Sequence, residues 1–459
     1  MKKLTRTVLV GVLHSCLLLS FALFAGCSDD DGPTISGTDP EICDSLIAVA
    51  NDSLGNLLNE LINTTLDDPD SSLRPHDLDF TGVKSLYEQA FATCPSSRDA
   101  RFGAAFTGLM CLLSDTTLNR LYNDFKTMYD TGGFFPSTHT LPVSLNRPLV
   151  LEGMPMHPNR FGDILIDITR WDPMMSSMAL SDPTVGEVQD WLETSLLPQI
   201  LTAQAHMTAI LAVPSYKFYI TPMMQGNPGA DSIEVDRTDF RVIMASLYGV
   251  EAAIRVAVAR DLNLTSFDID GVEAALSQGS TFLTLRPDGV GETHMSAAKT
   301  AILAAESQLE LAIADQTIEI LSGENQDDDL IKVDLADLEQ ALDTLVHYRA
   351  YFDAPTEIEV SDGDTVTVDI SAFFDNPVED PKDLLPPYVV TVELSPYPWG
   401  DWMVCYFWQA QSYAEWNWPY PTVNGLFPEM TALDMKETML DLLYDGAWEQ
   451  FDCRTIDFD

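Results

Sequence analysis

Residues 80–95, Phe-Thr-Gly-Val-Lys-Ser-Leu-Tyr-Glu-Gln-Ala-Phe-Ala-Thr-Cys-Pro, carry the pattern on which the expected fold depends. Val83, Tyr87 and Ala90 are spaced by four and three residues, which places them on one face of a helix, and Pro95 marks its end. The same kind of spacing continues through residues 98–113. We therefore expect two consecutive helices that pack against each other.

Residues 80–130 resemble a tetratricopeptide repeat, a pair of antiparallel helices in which small residues allow close packing. Val83, Tyr87, Ala90 and Pro95 have the spacing of the second helix of that motif, and Phe102, Gly103 and Phe106 resemble the next first helix. Leu118, Tyr122 and Phe125 repeat the pattern at about the family period of roughly 34 residues. Asp130 departs from the motif, because a proline would recur there. An ordinary helical hairpin is the alternative.

Helical periodicity extends over most of residues 41–351 and predicts a mainly α-helical, solenoid-like body. The predicted helices are 42–62, 81–93, 98–113, 117–129, 185–212, 238–260, 270–284, 293–321 and 330–351. Four aspartates near helix starts are predicted caps: Asp79, Asp182, Asp239 and Asp329. The apolar stretch 242–258 contains Glu251 and Arg255, which would be costly in lipid, so it is predicted to be a buried central helix.

The pattern changes after Pro355 to an alternation with a period of two. Residues 356–360 and 365–370 flank an Asp-Gly pair, which is typical of a β-hairpin with a tight turn. Residues 388–394 are predicted to add a third strand, and residues 431–445 to form a short helix. We therefore expect residues 352–459 to form a small mixed α+β module packed on the helical body.

The N-terminus has basic residues followed by an apolar run that ends in Leu23-Phe24-Ala25-Gly26-Cys27. This pattern resembles a bacterial lipoprotein signal, although Phe24 stands where the family more often has a small aliphatic residue. The resemblance implies a signal peptide at 1–26 that is removed, a lipid attached to Cys27, and an acidic flexible tether at 27–40. An uncleaved membrane helix is the alternative.

The residues after Cys27 indicate a destination. Ser28 resembles the residue found in lipoproteins that are released to the outer membrane, and Asp29 to Asp31 resemble the surface-export tags of some Bacteroidota-type lipoproteins. We expect a protein anchored by lipid in the bacterial outer membrane, on its periplasmic or cell-surface side.

The charge of the chain is strongly negative. It has 24 basic and 71 acidic residues, for a formal net charge of -47. Such a field repels the phosphates of nucleic acid, so no nucleic-acid partner is expected. The acidity fits either solubility in a salty environment, where salt screens repulsion, or cation binding. No cofactor is expected.

Five cysteines remain after Cys16 and Cys27 are set aside, and an oxidising envelope permits disulfides between them. The predicted pairs are Cys43 with Cys94 and Cys405 with Cys453. Cys111 lies in an apolar stretch and is predicted to be a buried free thiol. Metal binding is the weaker alternative, because the cysteines lack zinc-ligand spacing.

No motif for a known catalytic arrangement occurs, so no enzymatic activity is expected. The histidines are scattered singly. Asp327, Asp328 and Asp329 offer oxygen ligands for calcium but lack the alternation of a calcium loop. A solvated helix start that complements the helix dipole is the favoured interpretation of these aspartates.

Residues 397–420 contain ten aromatic side chains within 24 positions, with amides and carboxylates between them. Flat rings beside polar groups suit stacking and hydrogen bonding with sugars. The candidate ligand-binding residues are Trp399, Trp402, Trp416, Trp418 and Tyr420. The alternative is that these rings fill the seam between the C-terminal module and the helices.

Two functions are compatible with the sequence. The first is a non-enzymatic binding or assembly scaffold that uses the helical-repeat body to hold a protein partner. The second is a surface lipoprotein that captures a glycan or nutrient, such as an oligosaccharide, with residues 397–420. Its layout would be broadly similar to the SusD-type sugar binders.

Overall fold

A computed structural model gives the fold. It describes residues 40–67, 78, 80–121, 185–222, 224–225, 229–264, 274–275, 279–323, 330–331, 333, 335–361, 364–384, 388–396, 402–410, 420–434 and 452–456. These residues are mainly α-helical, with small antiparallel β-structures, as the sequence predicted.

The helices of the described residues include α1 (Pro40–Asp67), α2 (Phe80–Thr93), α3 (Arg98–Met110), α4 (Val185–Trp191), α5 (Leu197–Leu211), α6 (Arg237–Val258), α7 (Val290–Ser322), α8 (Leu335–Asp353) and α9 (Ile370–Asp375). Of the predicted helix 117–129, residues 117–121 are helical and the rest lies outside the described residues. A π-helical turn, Leu192–Leu196, joins α4 to α5. Most bounds lie within a few residues of the predicted helices, because the apolar periodicity that defines them is local.

Most of the long helices pack against the next long helix along the chain. α1 packs on α2, α2 on α3, α3 on α5, α5 on α6, α6 on α7 and α7 on α8. One apolar core runs from Leu54 of α1 through Phe102 of α3 to Val258 at the end of α6. A smaller core lies between α6 and α7 and includes Phe374 of α9.

α2 and α3 form the expected packed pair of helices. Val83, Tyr87 and Ala90 of α2 are buried, as are Phe102 and Phe106 of α3. The Tyr87 hydroxyl donates to Asn51 Oδ1 of α1 at 2.5 Å, which ties the pair to the preceding helix. Ser97 caps α3, because its side chain accepts a hydrogen bond from the Ala100 amide.

α6 is the buried central helix that the sequence predicted, but its cap differs from the prediction. Asp236 is the N-cap and accepts from the amides of Thr238 and Asp239, while the Asp239 side chain accepts from the Asp236 amide. Asp239 is therefore the third helical residue of a capping box. Among the described residues no helix is both long and apolar enough to cross a membrane.

The predicted helix 270–284 is wrong over its described C-terminal part. Gly279 has a φ of 92° and Leu283 a φ of 65°, both in the left-handed region. This segment forms local turns and also bonds to the chain that leaves α6: the Leu283 amide donates to the Asp261 carbonyl at 2.6 Å. Arg260 Nη1 also donates to the Leu283 carbonyl at 3.0 Å. Tertiary contacts thus override local helical periodicity here.

The strands form three small antiparallel sheets. β1 (Phe218–Ile220) pairs with β2 (Ile233–Val235), β3 (Thr356–Ser361) pairs with β4 (Asp364–Val368), and β5 (Tyr388–Pro396), β6 (Trp402–Ala410) and β7 (Asp452–Ile456) form the third sheet in that order. The predicted hairpin is present. The expected third strand, β5, does not extend that hairpin but pairs with β6.

The start of the C-terminal region packs on the helical body. The Phe374 ring of α9 lies 6.0 Å from the ring of Phe352 at the end of α8. The Leu285 amide donates to the Glu379 carbonyl at 2.7 Å, and Arg260 Nη2 donates to the Val378 carbonyl at 2.9 Å. These contacts fix residues 370–384 against the chain between α6 and α7. Of the predicted helix 431–445, residues 432–434 are helical and the rest lies outside the described residues.

Candidate docking surface

Several predicted functional residues lie outside the residues described by the structure. These are Cys27, the three aspartates Asp327, Asp328 and Asp329, and the tryptophans Trp399, Trp416 and Trp418. The predictions made for them stay predictions. Among the described residues, no group of three or more His, Cys, Asp or Glu side chains is arranged to hold a metal ion.

The predicted disulfide between Cys43 and Cys94 is confirmed, with the two Cα atoms 5.8 Å apart. It joins the first turn of α1 to the residue that follows α2. Closing a loop of this length stabilises a fold by about 4 kcal/mol in the chain-entropy account. Cys111 takes part in no disulfide and is partly buried, so it is less buried than predicted.

Cys405 and Cys453 occupy directly opposed positions of β6 and β7. Opposed residues of an antiparallel pair have Cα atoms about 4.5–5.5 Å apart, within the range that a disulfide spans. The register is thus compatible with the second predicted pair. The bond itself stays a prediction.

The aromatic segment is described in part. Trp402, Tyr406 and Trp408 belong to β6. β6 is the central strand of its sheet, since β5 and β7 cover its two edges. Tyr420 is exposed over 46% of its surface.

A polar network joins the π-helical turn, α6 and α7 and is a candidate for chemistry. Arg286 Nη1 donates to Glu193 Oε2 at 2.6 Å, and His294 Nε2 lies 3.3 Å from Glu193 Oε1. A carboxylate can only accept, so Nε2 carries the proton of the neutral imidazole. His294 Nδ1 is then a buried acceptor, and it has no hydrogen-bond partner.

Electrostatics in this network favour a neutral histidine beside an ionised glutamate. Burial lowers the pKa of His294, and its contact with Glu193 only partly opposes that effect. Burial alone would raise the pKa of Glu193, but the contacts with Arg286 and His294 together outweigh it, so the pKa of Glu193 is lowered. At neutral pH the ion pair is therefore between Glu193 and Arg286.

The adjoining polar contacts are those of a helix junction. Gln204 Nε2 of α5 donates to Glu251 Oε2 of α6 at 2.8 Å, and Arg255 Nε donates to Glu251 Oε1 at 2.6 Å. Gln189 of α4 is buried and accepts from the Leu262 amide at 3.1 Å. Buried polar groups satisfied in this way fix the relative positions of helices. We assign the network a structural role.

The clearest unusual surface is formed by α7 and α8. Five large apolar side chains are exposed there: Leu311 41%, Ile318 65%, Leu321 72%, Leu342 40% and Val346 58%. We call these five residues the α7–α8 apolar surface. Surface hydrophobes are unremarkable singly, but a group of them marks an interaction site.

One ion pair locates the two helices relative to each other. Arg349 Nη1 of α8 donates to Glu310 Oε1 of α7 at 3.1 Å. Leu342 and Val346 precede Arg349 by seven and three residues, so they share its side of α8. Leu321 lies eleven residues after Glu310, or three turns along the same side of α7. Leu321, Leu342 and Val346 therefore lie on the sides of α7 and α8 that carry this ion pair.

The sequence contains a signal for this surface in the spacing of the apolar residues of α7. α7 buries Met295, Ala298, Ala301 and Ala312 on one side. Leu311, Ala314, Ile318 and Leu321 form a second row with spacings of three and four residues, and this row is exposed. A helix that is apolar on two faces needs two partners or a place deep in a core.

Comparison of the chain with protein-family models, with curated proteins and with solved structures finds no match. Function must therefore be inferred from the residues and contacts of the chain itself.

Proposed function

We propose that this protein is a lipid-anchored lipoprotein of the bacterial outer membrane that acts as a non-enzymatic binding or assembly scaffold for a protein partner. The single observation that supports this most is the α7–α8 apolar surface, because five large hydrophobic side chains are exposed on paired helices of a very acidic protein. Burying them against a partner would be favourable at roughly 25 cal/mol per Å² of apolar area.

The scaffold would be a helical-repeat, solenoid-like body with a tetratricopeptide-like unit at 80–130. Support comes from the consecutive packing of α1, α2, α3, α5, α6, α7 and α8. In such a layout each helix contacts its neighbours along the chain, and the last helix has a free outer side. α8 is the last long helix among the described residues, and Leu338 is its one buried residue.

The lipid anchor is proposed from residues 1–31, with Cys27 as the lipidated residue. Expression of the full chain in a bacterium, followed by intact-mass measurement, tests it. We expect wild type to lose residues 1–26 and gain a diacylglycerol mass, and the Cys27→Ser variant to stay unprocessed. A wild-type protein that keeps its N-terminal methionine in the membrane fraction would contradict the anchor.

A second candidate function is capture of an oligosaccharide. It is favoured by the presence of Trp402, Tyr406 and Trp408 within one strand, β6, and by the exposure of Tyr420. Aromatic rings are suited to stacking against sugar rings. Tryptophan fluorescence titrated with oligosaccharides tests it, and a saturable shift that Trp402→Ala abolishes would support it.

The scaffold is tested by capture from an envelope extract with the full-length protein in detergent. We expect a partner to be retained by wild type and lost with the Ile318→Ser/Leu321→Ser variant. Ile42 and Val49 on α1 are also exposed, at 51% and 49%, so Ile42→Ser/Val49→Ser is a matched control that should retain the partner. Equal capture by all three proteins would contradict a role for the α7–α8 apolar surface.

A further inference from the structure

The length of the α7–α8 apolar surface matches that of a short helix. The row from Leu311 to Leu321 spans ten residues of α7, or about 15 Å at 1.5 Å per residue. Leu342 and Val346 lie beside it on α8, one turn apart. Three turns of an amphipathic helix have the same length and present apolar side chains at the same spacing.

The charge around this surface is negative. α7 and α8 together contain nine acidic and two basic residues. Glu310 already engages Arg349, one of the two basic side chains. Glu339 and Asp343 are exposed and lie three residues before Leu342 and Val346, so they border these apolar side chains.

A second copy of this chain is a poor occupant for the surface. Each copy would bring the same acidic border to the contact, and like charges placed together are unfavourable. The whole chain adds to this repulsion, with a formal net charge of -47. Cationic side chains on the occupant would instead complement the border and speed association.

We infer that the α7–α8 apolar surface binds a basic amphipathic helix of a partner protein, an inference that rests on the scaffold function proposed above. Apolar side chains of the partner helix contact Leu311, Ile318, Leu321, Leu342 and Val346. Lysine or arginine side chains flanking that row lie against Glu339 and Asp343. The apolar contacts supply affinity, and the charges select a basic helix over an acidic one.

The test uses two fluorescent peptides and the full-length protein in detergent. Both peptides carry leucines at helical spacing; one has lysine at every flanking position and the other has glutamate. We expect the lysine peptide to bind at least tenfold more tightly than the glutamate peptide, and to become helical on binding. Its affinity should fall at least tenfold between about 50 mM and about 500 mM NaCl, because salt screens the charges.

Two variants separate the apolar and ionic contributions. Ile318→Ser/Leu321→Ser should weaken binding of the lysine peptide at least tenfold, while Ile42→Ser/Val49→Ser should leave it unchanged. Glu339→Lys/Asp343→Lys should reverse the preference toward the glutamate peptide. These positions are exposed on helices, so the variants should keep wild-type circular dichroism and melting temperature.

Outcomes that overturn the inference differ from those that overturn the scaffold. Equal binding of both peptides, or no effect of Glu339→Lys/Asp343→Lys, overturns the basic-helix inference even where an envelope partner still depends on Ile318 and Leu321. Concentration-dependent dimerisation that Ile318→Ser/Leu321→Ser abolishes also overturns it, in favour of a second copy. Failure of wild type to retain any envelope partner overturns the scaffold function.

Discussion

Gly103 of α3 lies so close to Tyr87 of α2 that a side chain there has no room. A Cβ atom at this position would be 2.1 Å from Cε1 of the Tyr87 ring, and Tyr87 is also held by its bond to Asn51. We expect Gly103→Ala to lower the free energy of unfolding by about 1–3 kcal/mol, as overpacking of a core does. Urea denaturation of the purified protein measures it.

Gly108 in the same helix is the matched control for Gly103. A Cβ atom there would be 3.3 Å from the flexible end of Gln199, which can move away. Gly108→Ala should therefore change stability little, or raise it by up to about 1 kcal/mol through helix propensity. Equal destabilisation by the two substitutions would show that the Tyr87 contact is not the cause.

Glu306 of α7 is a buried carboxylate whose ionised form is poorly accommodated. The residue is 8% exposed, and its Oε2 has no hydrogen-bond partner. Burial raises the pKa of Glu306, although the charge of Arg349 opposes this effect. We expect Glu306→Gln to stabilise the protein at pH 7.5 by about 1 kcal/mol, since the buried charge is removed.

The pH dependence of Glu306→Gln follows from the sign of that pKa shift. A glutamate with a raised folded-state pKa is penalised while it is ionised, and the penalty is relieved as pH falls through that pKa. The advantage of Glu306→Gln should therefore shrink as pH falls through the raised pKa and vanish below the ordinary glutamate pKa.

Glu310→Gln is the control: it breaks the ion pair with Arg349 and should lower stability by less than about 1 kcal/mol. A Glu306→Gln variant less stable than wild type at pH 7.5 would contradict this account.

Sequence predicted the buried residues of α2 and α3 but not the environment of Glu306. Val83, Tyr87 and Ala90 follow a periodicity that the local sequence contains, so their burial on one helix face could be read directly. The raised pKa of Glu306 depends on burial and on Arg349 and Asp353, which lie more than forty residues away in α8. No spacing rule connects these positions before the fold is known.

At the scale of elements, the pairing of β6 with β7 predicts a disulfide bond. Cys405 and Cys453 are opposed in register, so we expect them to form a disulfide in protein folded in an oxidising compartment. Formation transfers two electrons and two protons from the two cysteine thiols to a small disulfide oxidant, such as oxidised glutathione, which is reduced to two thiols. Non-reducing peptide mapping should recover the Cys405–Cys453 pair.

The same peptide map contains its own control. The Cys43–Cys94 peptide should also appear, because that bond joins α1 and α2. Alkylated Cys405 and Cys453 in a sample that retains the Cys43–Cys94 bond would contradict the cross-strand disulfide.

Strand pairing could be predicted from the sequence only where a short turn joins the two strands. The β3–β4 hairpin was predicted because Asp-Gly between two alternating segments favours a tight turn. The strand at 388–396 was expected beside that hairpin, yet it pairs with β6, and β7 joins from more than forty residues further along the chain. Long-range pairing depends on which surfaces meet during folding and has no short sequence signature.

At the scale of the whole molecule, a net charge of -47 should make stability depend on salt. Self-repulsion destabilises a compact acidic chain, and salt screens it. We expect the urea midpoint to rise as NaCl increases from about 10 mM to about 300 mM. As a control, the urea midpoint is measured with calcium chloride and magnesium chloride at the same ionic strengths as the NaCl samples. A saturable increase at micromolar calcium would contradict simple screening and favour cation binding.

The mainly helical class of the molecule could be predicted from periodicity, whereas its candidate docking surface could not. Ile318 and Leu321 look like core residues in sequence, and only the position of α8 along α7 shows that they stay exposed. Exposure is a property of the assembled helices rather than of any one segment.

The disulfide between Cys43 and Cys94 also determines how mechanical tension would travel through the molecule. A pull on the chain before Cys43 passes through the two sulfur atoms to Cys94, across a sequence separation of 51 residues. The intervening parts of α1 and α2 then carry no tension and cannot be peeled away one turn at a time. The force reaches the chain just before α3, whose Phe102 and Phe106 are buried in the main core. A protein held at its N-terminal end would therefore resist extension with its core rather than with its first two helices.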